Sequence, residues 1–519
     1  MFITPTHKLV MQVQDPLYIR NLLPTESRLC SVPQGNIVIK HSIETTLVLR
    51  NLGYEVPSPI RTDYDWPGKF QPFDHQEVMA DAMTMYPKCF NLSEMGTGKT
   101  YATLWAADYL MTKGLVKRAL IVAPMSTMNA VWKSDIFNIL MHRNCAVVRG
   151  SSDKRAHQFD IDADFYIINH DAIGLEDVAR LVKRRKDIDL IILDEASDFR
   201  NPGTRRYKYL RWAVEHKPRF WAITGTPNPN GPTDAWAMSR IINPTAVPSH
   251  YGTFKRQTML QVSSFKWAPK RGSEDLVFAA MQPAVRFAKA DCLDLPPVVT
   301  VKRECGLSKA QVTAYSAMKD EMSMRWASGE QIDAVNAADQ VNKLRQILCG
   351  VIKDPDTGKY VPIDYAPRRD ELLKVIGMAA AKVIIIVPFK GIIRHLEQDL
   401  IKDGQSVAVL NGDVSPKVRE LHVHNFKTSA DPHILLCHPR VMSHGLNLVE
   451  ADMTIFYAPI YSADQYRQVI ERNNRTGQTR NMTIVRMSAH PLEKAIYGAV
   501  DLKGITQDNI LKLYKQAIT

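Results

Sequence analysis

No apolar run in this 519-residue chain approaches the length of a membrane span. The most continuous, Val383-Ile384-Ile385-Ile386-Val387, has the length of a buried strand. The amino terminus, Met1-Phe2-Ile3-Thr4-Pro5, lacks a charged stretch followed by an apolar one, so no secretory signal is expected. Cysteine is scarce: seven residues, none in paired spacing. That argues against a disulfide framework and a structural zinc, and for a reduced, intracellular, cytoplasmic protein. His422, His424, His433, His438 and His444 crowd together, but without metal-ligand spacing or a cysteine pair they read as surface and core histidines. No nuclease signature is present, so strand cleavage is not expected.

A length of 519 residues allows roughly two to four domains, and 45% hydrophobic content supports large cores. The net charge is +12, with a pI near 9.2. Such a surplus fits a polyanionic partner, most simply nucleic acid, although solubility alone also accounts for surface charge.

The most informative stretch is Ser93-Glu94-Met95-Gly96-Thr97-Gly98-Lys99-Thr100. It follows the short apolar run Cys89-Phe90-Asn91-Leu92 and opens a helical pattern, Tyr101 to Ala107. A phosphate cradle needs this strand–loop–helix setting. Gly96 and Gly98 let backbone N–H groups turn toward phosphate oxygens, and the helix N-terminus adds partial positive charge. Lys99 can reach the terminal phosphates and the Thr100 hydroxyl can hold Mg²⁺. Ser93 stands where the standard pattern begins with glycine, so a chance turn of the same composition is the competing reading.

A second motif joins it. Asp189-Leu190-Ile191-Ile192-Leu193 reads as a buried strand and ends in Asp194-Glu195-Ala196-Ser197. Acids at the carboxyl end of a parallel strand sit where α/β sheets bind ligands. Asp194 is expected to hold Mg²⁺ and Glu195 to polarise the attacking water, the pairing that phosphoanhydride hydrolysis requires. In Gln468-Val469-Ile470-Glu471-Arg472-Asn473-Asn474-Arg475, the spacing places Gln468, Arg472 and Arg475 on one helical face. Two arginines there either stabilise charge on a γ-phosphate or form a solvated basic face.

Residues 1–60 form a small accessory unit. It has a strand over Gly35 to Lys40 and a helix over Ile43 to Leu52, capped by Ser42 and ended by Gly53; Pro57-Ser58-Pro59 then marks a linker. Residues 61–295 hold a parallel α/β sheet with strands at 119–123, 164–168, 190–193 and 220–223. From 246 to 295 the rhythm breaks. There Lys255, Arg256, Lys266, Lys270, Arg271, Arg286 and Lys289 interleave with Tyr251, Phe254, Phe265, Trp267 and Phe287. This stretch is either a nucleic-acid groove or a helical insertion with an aromatic core. After Leu295-Pro296-Pro297, residues 296–519 form a second lobe, helical over 305–350. Its strands lie at 382–387, 406–410, 433–437, 453–456 and 482–485, and it has no phosphate loop. Two sheets with one cradle suggest a nucleotide sandwiched between lobes.

Over residues 70–505 the chain resembles a superfamily-two helicase or translocase of the Swi/Snf-like branch. Phe70-Gln71-Pro72-Phe73-Asp74-His75-Gln76 resembles the adenine-reading segment, with Gln76 as the contact. Ser93 to Thr100 is similar to the branch's phosphate loop, with Met95, Gly96, Thr97, Gly98, Lys99 and Thr100 toward the nucleotide. Ala123-Pro124 with Trp132 resembles a motif that contacts the nucleic-acid backbone, and Thr224-Gly225-Thr226-Pro227 the motif that couples hydrolysis to that contact. Gly445-Leu446-Asn447-Leu448 resembles another such motif, and Leu344-Arg345-Gln346-Ile347 a second-lobe helical segment. The ending Arg475-Thr476-Gly477-Gln478 is similar to a signature of this branch. Ser197 replaces the usual His of the acidic box, Glu471 stands where many members have Gly, and Met442-Ser443-His444 replaces a Gly-rich approach to Gly445.

The resemblance implies two tandem RecA-like parallel-sheet lobes using ATP and Mg²⁺. It implies a monomeric motor that moves on duplex or branched DNA, with RNA as a further substrate class and no membrane partner. The compact build resembles stand-alone bacterial and phage members. A strand-separating helicase and a nucleic-acid-binding protein with a silent ATPase site are the alternatives.

Overall fold

The computed structural model describes residues 1–29, 36–263, 267–327, 334–354, 357–442, 446–475 and 477–501. It divides into two compact units, Met1–Cys292 and Leu293–Thr519. Strands β1 (Phe2–Ile3), β2 (Lys8–Gln12), β3 (Ser27–Leu29) and β4 (Asn36–Lys40) open the first unit as an antiparallel sheet in the order β1-β2-β4-β3. Side chains alternate across a strand. Leu9, Met11, Ile37 and Ile39 therefore meet Leu49 in one small core. Ser42 caps the helix Ile43–Asn51, accepting the Thr45 N–H at 3.3 Å, and Gly53 leaves the helix at φ 87°. The stretch expected as a linker is packed instead. Ser58 and Ile60 are fully buried, and the His41 ring bonds the Pro57 carbonyl at 2.8 Å. Ile43 and Ile60 join a core that includes Met83 and Trp105, which fuses this piece to the sheet that follows.

That sheet contains β5 (Lys88–Asn91), β6 (Arg118–Ala123), β7 (Cys145–Val147), β8 (Phe165–Asn169), β9 (Ile188–Asp194) and β10 (Arg219–Ile223). The uninterrupted apolar runs of β6 and β9 reflect burial on both faces, as a parallel sheet covered by helices demands. The helices Asp74–Met85 and Lys99–Thr112 cover one face; Glu176–Arg184, Arg205–Val214 and Ala235–Ile242 cover the other. The insertion is only partly helical. The helices Tyr251–Thr258 and Ser273–Ala280 flank an antiparallel pair, β11 (Met259–Gln261) and β12 (Trp267–Pro269). Then β13 (Ala284–Val285) completes the large sheet beside β5. The order is β13-β5-β10-β9-β6-β8-β7, parallel throughout. Lys255 lies 4.2 Å over the Trp267 ring, whereas Phe265 and Lys266 fall outside the described residues.

The second unit starts with β14 (Val298–Glu304), followed by the helices Lys309–Ala327 and Ala334–Cys349 and the hairpin β15 (Val351–Lys353) and β16 (Tyr360–Pro362). Strands β17 (Lys382–Ile386), β18 (Val407–Leu410), β19 (Ile434–Cys437), β20 (Ala451–Phe456) and β21 (Met482–Ser488) complete a parallel sheet ordered β14-β21-β20-β17-β19-β18. An ion pair between the helices Ala366–Ile376 and Pro491–Asp501, Arg368 with Glu493, is fully buried. Two parallel-sheet lobes with helical insertions and a small α+β piece are the fold the sequence indicates. Among the described residues no helix is long and apolar enough to cross a membrane.

Candidate nucleotide site

Strand order assembles the site. From β5 the chain crosses to β6, runs out to β7, and returns through β8 and β9 to place β10 directly against β5. Asn91, Ile223 and Asp194 are then in register across three neighbouring strands. The phosphate loop, Thr224 to Pro227 and the Asp194-Glu195 pair follow these strand ends, so one edge of the sheet gathers all three. Ligands of open α/β sheets bind at such carboxyl edges.

Gly96 and Gly98 have φ of 84° and 78°, the left-handed region that favours glycine. Lys99 and Thr100 open the helix that runs to Thr112, so its first N–H groups lie at the loop, where a helix N-terminus favours an anion. The Lys99 ammonium donates to the Glu94 carbonyl at 2.8 Å, and the Thr97 hydroxyl donates to the same oxygen at 2.8 Å. The helix Asp74–Met85 braces the loop from below. His75 Nε2–H donates to the Thr97 carbonyl at 3.0 Å. The Gln76 amide oxygen accepts the Phe73 N–H at 3.0 Å, and its nitrogen would lie 1.8 Å from a Cβ built on Gly98. Gln76 and the phosphate loop are thus in contact. Phe70 stacks on Tyr101 and Phe73 on His75, both with exposed faces, an aromatic surface that composition does not reveal. Burial pushes His75 below its ordinary 6.5.

Ser93, the departure at the first loop position, is fully buried, and its hydroxyl accepts the Phe287 N–H at 3.1 Å. The Glu94 N–H donates to the Phe287 carbonyl at 2.9 Å, and the Glu94 carboxylate accepts the Lys289 N–H at 2.9 Å. The segment after β13 therefore clamps the loop's leading edge.

At the end of β9 both oxygens of Asp194 are engaged. Oδ1 accepts the Glu195 N–H at 3.0 Å and Oδ2 accepts the Trp132 indole N–H at 2.9 Å. The Asp194 carbonyl accepts from His170 Nε2 at 2.9 Å. Glu195 has φ 49°, a conformation costly for a non-glycine residue and concentrated at functional sites. Pro124 ends β6 in a buried position, and its carbonyl accepts the Thr127 N–H at 3.0 Å. Trp132 is fully buried, so its side chain meets the acid and not the surface. Thr224 and Thr226 are buried, and the Thr224 hydroxyl accepts the Thr226 N–H at 3.2 Å. Among the described residues the Thr226 hydroxyl has no partner. A Cβ on Gly225 would lie 3.2 Å from the Met95 nitrogen, so this motif touches the phosphate loop. Ser197, in place of His, is buried. A loop in which a Cβ on Gly98 would collide with Gln76, with Lys99 in it and the Asp194 carboxylate at the same sheet edge, fits a nucleoside triphosphate with a hard cation.

In the second unit, Ser462 caps the helix Ala463–Ile470 by accepting the Gln465 N–H at 3.1 Å. The helix stops at Ile470, which corrects the expectation of one helical face for Gln468, Arg472 and Arg475. The chain turns because a tertiary bond wins: the Arg472 carbonyl accepts the Leu448 N–H at 2.8 Å. Arg472 Nε still reaches the Gln468 carbonyl at 2.9 Å, and Gln468 donates to Asp464 at 3.0 Å. Gln478 explains the signature's ending. Its amide donates to the Val449, Ala451 and Asn473 carbonyls at 3.1, 3.0 and 3.2 Å. Leu446 and Leu448, on either side of Asn447, both bond Arg472, the first accepting from its guanidinium at 3.4 Å and the second donating to its carbonyl, whereas Arg475 is half-buried beyond the helix. Gly445 and Thr476 lie outside the described residues. Arg345 sits 4.0 Å over the Tyr461 ring.

The family described as SNF2-related domain matches residues 77–355, and the helicase conserved C-terminal domain matches residues 368–477. Protein p41 of Acyrthosiphon pisum secondary endosymbiont phage 1 is 24% identical over 79% of this chain and 90% of its own. An uncharacterized ATP-dependent helicase of Mycoplasma genitalium is 22% identical over 76% of this chain, which spans 37% of that protein's length. An ISWI chromatin-remodeling complex ATPase of Arabidopsis thaliana is 25% identical over 76% of this chain and 38% of its own. Among solved structures, the Sulfolobus solfataricus SWI2/SNF2 ATPase core in complex with dsDNA is similar, with a TM-score of 0.42 and 20% identity over 84% of this chain and 92% of that one. With a family match over more than half its length, this chain belongs to the SNF2-related family of helicase-type ATPases.

Proposed function

We propose that this protein is an ATP-driven translocase on duplex or branched DNA that remodels DNA structures, drives branch migration or displaces bound protein. The observation that carries the reading is the single sheet edge that gathers the phosphate loop, Asp194 with Glu195, and Thr224 to Thr226. Gln76 reads the base and Lys99 neutralises the terminal phosphates. Thr100 and Asp194 hold Mg²⁺, which when bound neutralises phosphate charge and orients the γ-phosphate. Glu195 orients the water. Arg472 and Arg475 stabilise charge on the γ-phosphate, as arginine fingers do. Pro124, Thr224, Thr226, Gly445 and Asn447 relate nucleic-acid contact to the nucleotide, and a basic chain gives such contact its salt sensitivity.

Two parallel assays test this. One follows displacement of a triplex-forming strand from duplex DNA, the other release of a strand from a matched duplex. Triplex displacement without strand release supports translocation. Strand release from DNA or RNA supports an unwinding helicase, and failure of both supports a binding protein with a silent site.

A further inference from the structure

Trp132 was expected at a nucleic-acid backbone, yet its side chain is fully buried with its only polar atom on Asp194, at 2.9 Å from Oδ2. An indole has one donor and no acceptor, so this bond is its whole hydrogen-bonding capacity. The opposite oxygen, Oδ1, accepts the Glu195 N–H at 3.0 Å. One donor on each oxygen fixes the carboxylate plane and leaves its remaining lone pairs oriented. The Glu195 donor is local to the strand end, whereas the Trp132 donor arrives from 62 residues away.

The backbone around Trp132 is unusual. Met128–Lys133 winds as a π-helix before the α-helix Ser134–Ile139 begins. Such turns are rare and concentrate at functional sites. Here the wide turn buries Trp132 among Met128, Ile136, Ile139 and Phe165, while Met125 and Phe137 nearby are 71% exposed. One segment therefore has an outer face toward solvent and an inner tip on the acid of the nucleotide site.

We propose that Trp132 is a positioning residue for Mg²⁺-dependent nucleotide binding, acting through the orientation of the Asp194 carboxylate. Partners that orient a metal-binding carboxylate typically change metal affinity about 10- to 100-fold when removed. The inference rests on the ATPase reading. It assigns the buried end of the Pro124–Trp132 segment to the metal and leaves nucleic-acid contact to its exposed residues.

The test is equilibrium binding of a fluorescent ADP analogue, titrated with Mg²⁺ and repeated in EDTA. Trp132→Phe should raise the Mg²⁺ concentration for half-maximal tight binding about tenfold, with metal-free binding unchanged. Trp221→Phe is the control: Trp221, on β10, is equally buried in the same core, but its indole donates to the Tyr86 carbonyl at 3.3 Å. Its Mg²⁺ requirement should stay at the wild-type value. If Trp132→Phe does not fold, replacing the Trp132 indole with benzothiophene keeps the shape and removes only the N–H, and the same rise is expected. A wild-type Mg²⁺ requirement in either folded variant overturns the proposal. Absence of Mg²⁺-dependent binding in the unmodified protein would instead overturn the ATPase reading beneath it.

Discussion

The Ser93 hydroxyl accepts the Phe287 backbone N–H at 3.1 Å, tying the first position of the phosphate loop to the chain leaving the last strand of its own sheet. Glycine at that position would match the standard loop pattern, but it would leave a backbone donor without its acceptor. Ser93→Gly is therefore expected to destabilise the protein by about 1–3 kcal/mol while nucleotide binding persists. Urea unfolding alongside a nucleotide titration checks both halves; unchanged stability would remove the clamp from the account.

Gly98 allows no side chain. Alanine there carries the left-handed penalty of about 1–2 kcal/mol, and its Cβ would displace the buried Gln76 amide. Gly98→Ala is expected to weaken nucleotide binding by about tenfold or more, since each 1.4 kcal/mol is a factor of ten. Adding Gln76→Ala removes the collision but leaves the backbone penalty and also removes the proposed base contact. The double variant should regain stability and not affinity, which calorimetric titration and thermal melting together resolve.

His75 gives the loop a pH dependence of definite sign. Burial lowers its pKa in the folded state, while the unfolded chain titrates near 6.5. Between those values the unfolded state binds more protons, so stability is full above about pH 6.5 and falls as the pH drops through the folded value. His41, His438 and His490 are lowered by burial as well and contribute in the same direction. His75→Gln, which cannot charge, should flatten only its own share. Denaturation midpoints of both proteins from pH 7.5 down to 5 measure that difference, and parallel curves would contradict it.

Arg368 and Glu493 are both fully buried, and Arg368 also donates to the Tyr457 carbonyl at 2.6 Å. Breaking such a pair strands a charge, at a cost of about 3–5 kcal/mol for Arg368→Met. Removing both charges with Arg368→Met and Glu493→Leu should recover most of that loss. Chemical denaturation of the single and double variants decides, and equal destabilisation in both would show that the charge is not the cause.

Much of this architecture was legible in the residues. The apolar runs of β6, β8, β9, β17 and β19 announce a parallel sheet because burial on both faces leaves no room for alternation. The phosphate loop and Asp194-Glu195 are local patterns whose chemistry follows from spacing. What escaped depends on long-range bonds. Ala284–Val285 is too short to carry a period, and becomes a strand only because β5 is there to pair with it. The helix before Arg472 ends early because its carbonyl answers to Leu448, not to its own turn. Trp132 reads as a surface contact by motif, and only its burial and its long-range bond to Asp194 show that it points inward.

Steady-state ATP hydrolysis tests the central claim most directly. It would be measured without nucleic acid and with single-stranded DNA, duplex DNA, branched DNA and RNA, using Glu195→Gln as the blank. The account predicts turnover stimulated most by duplex or branched DNA and abolished in the Glu195 variant. Stimulation confined to single strands or RNA, or turnover no greater than the blank with every substrate, would contradict it.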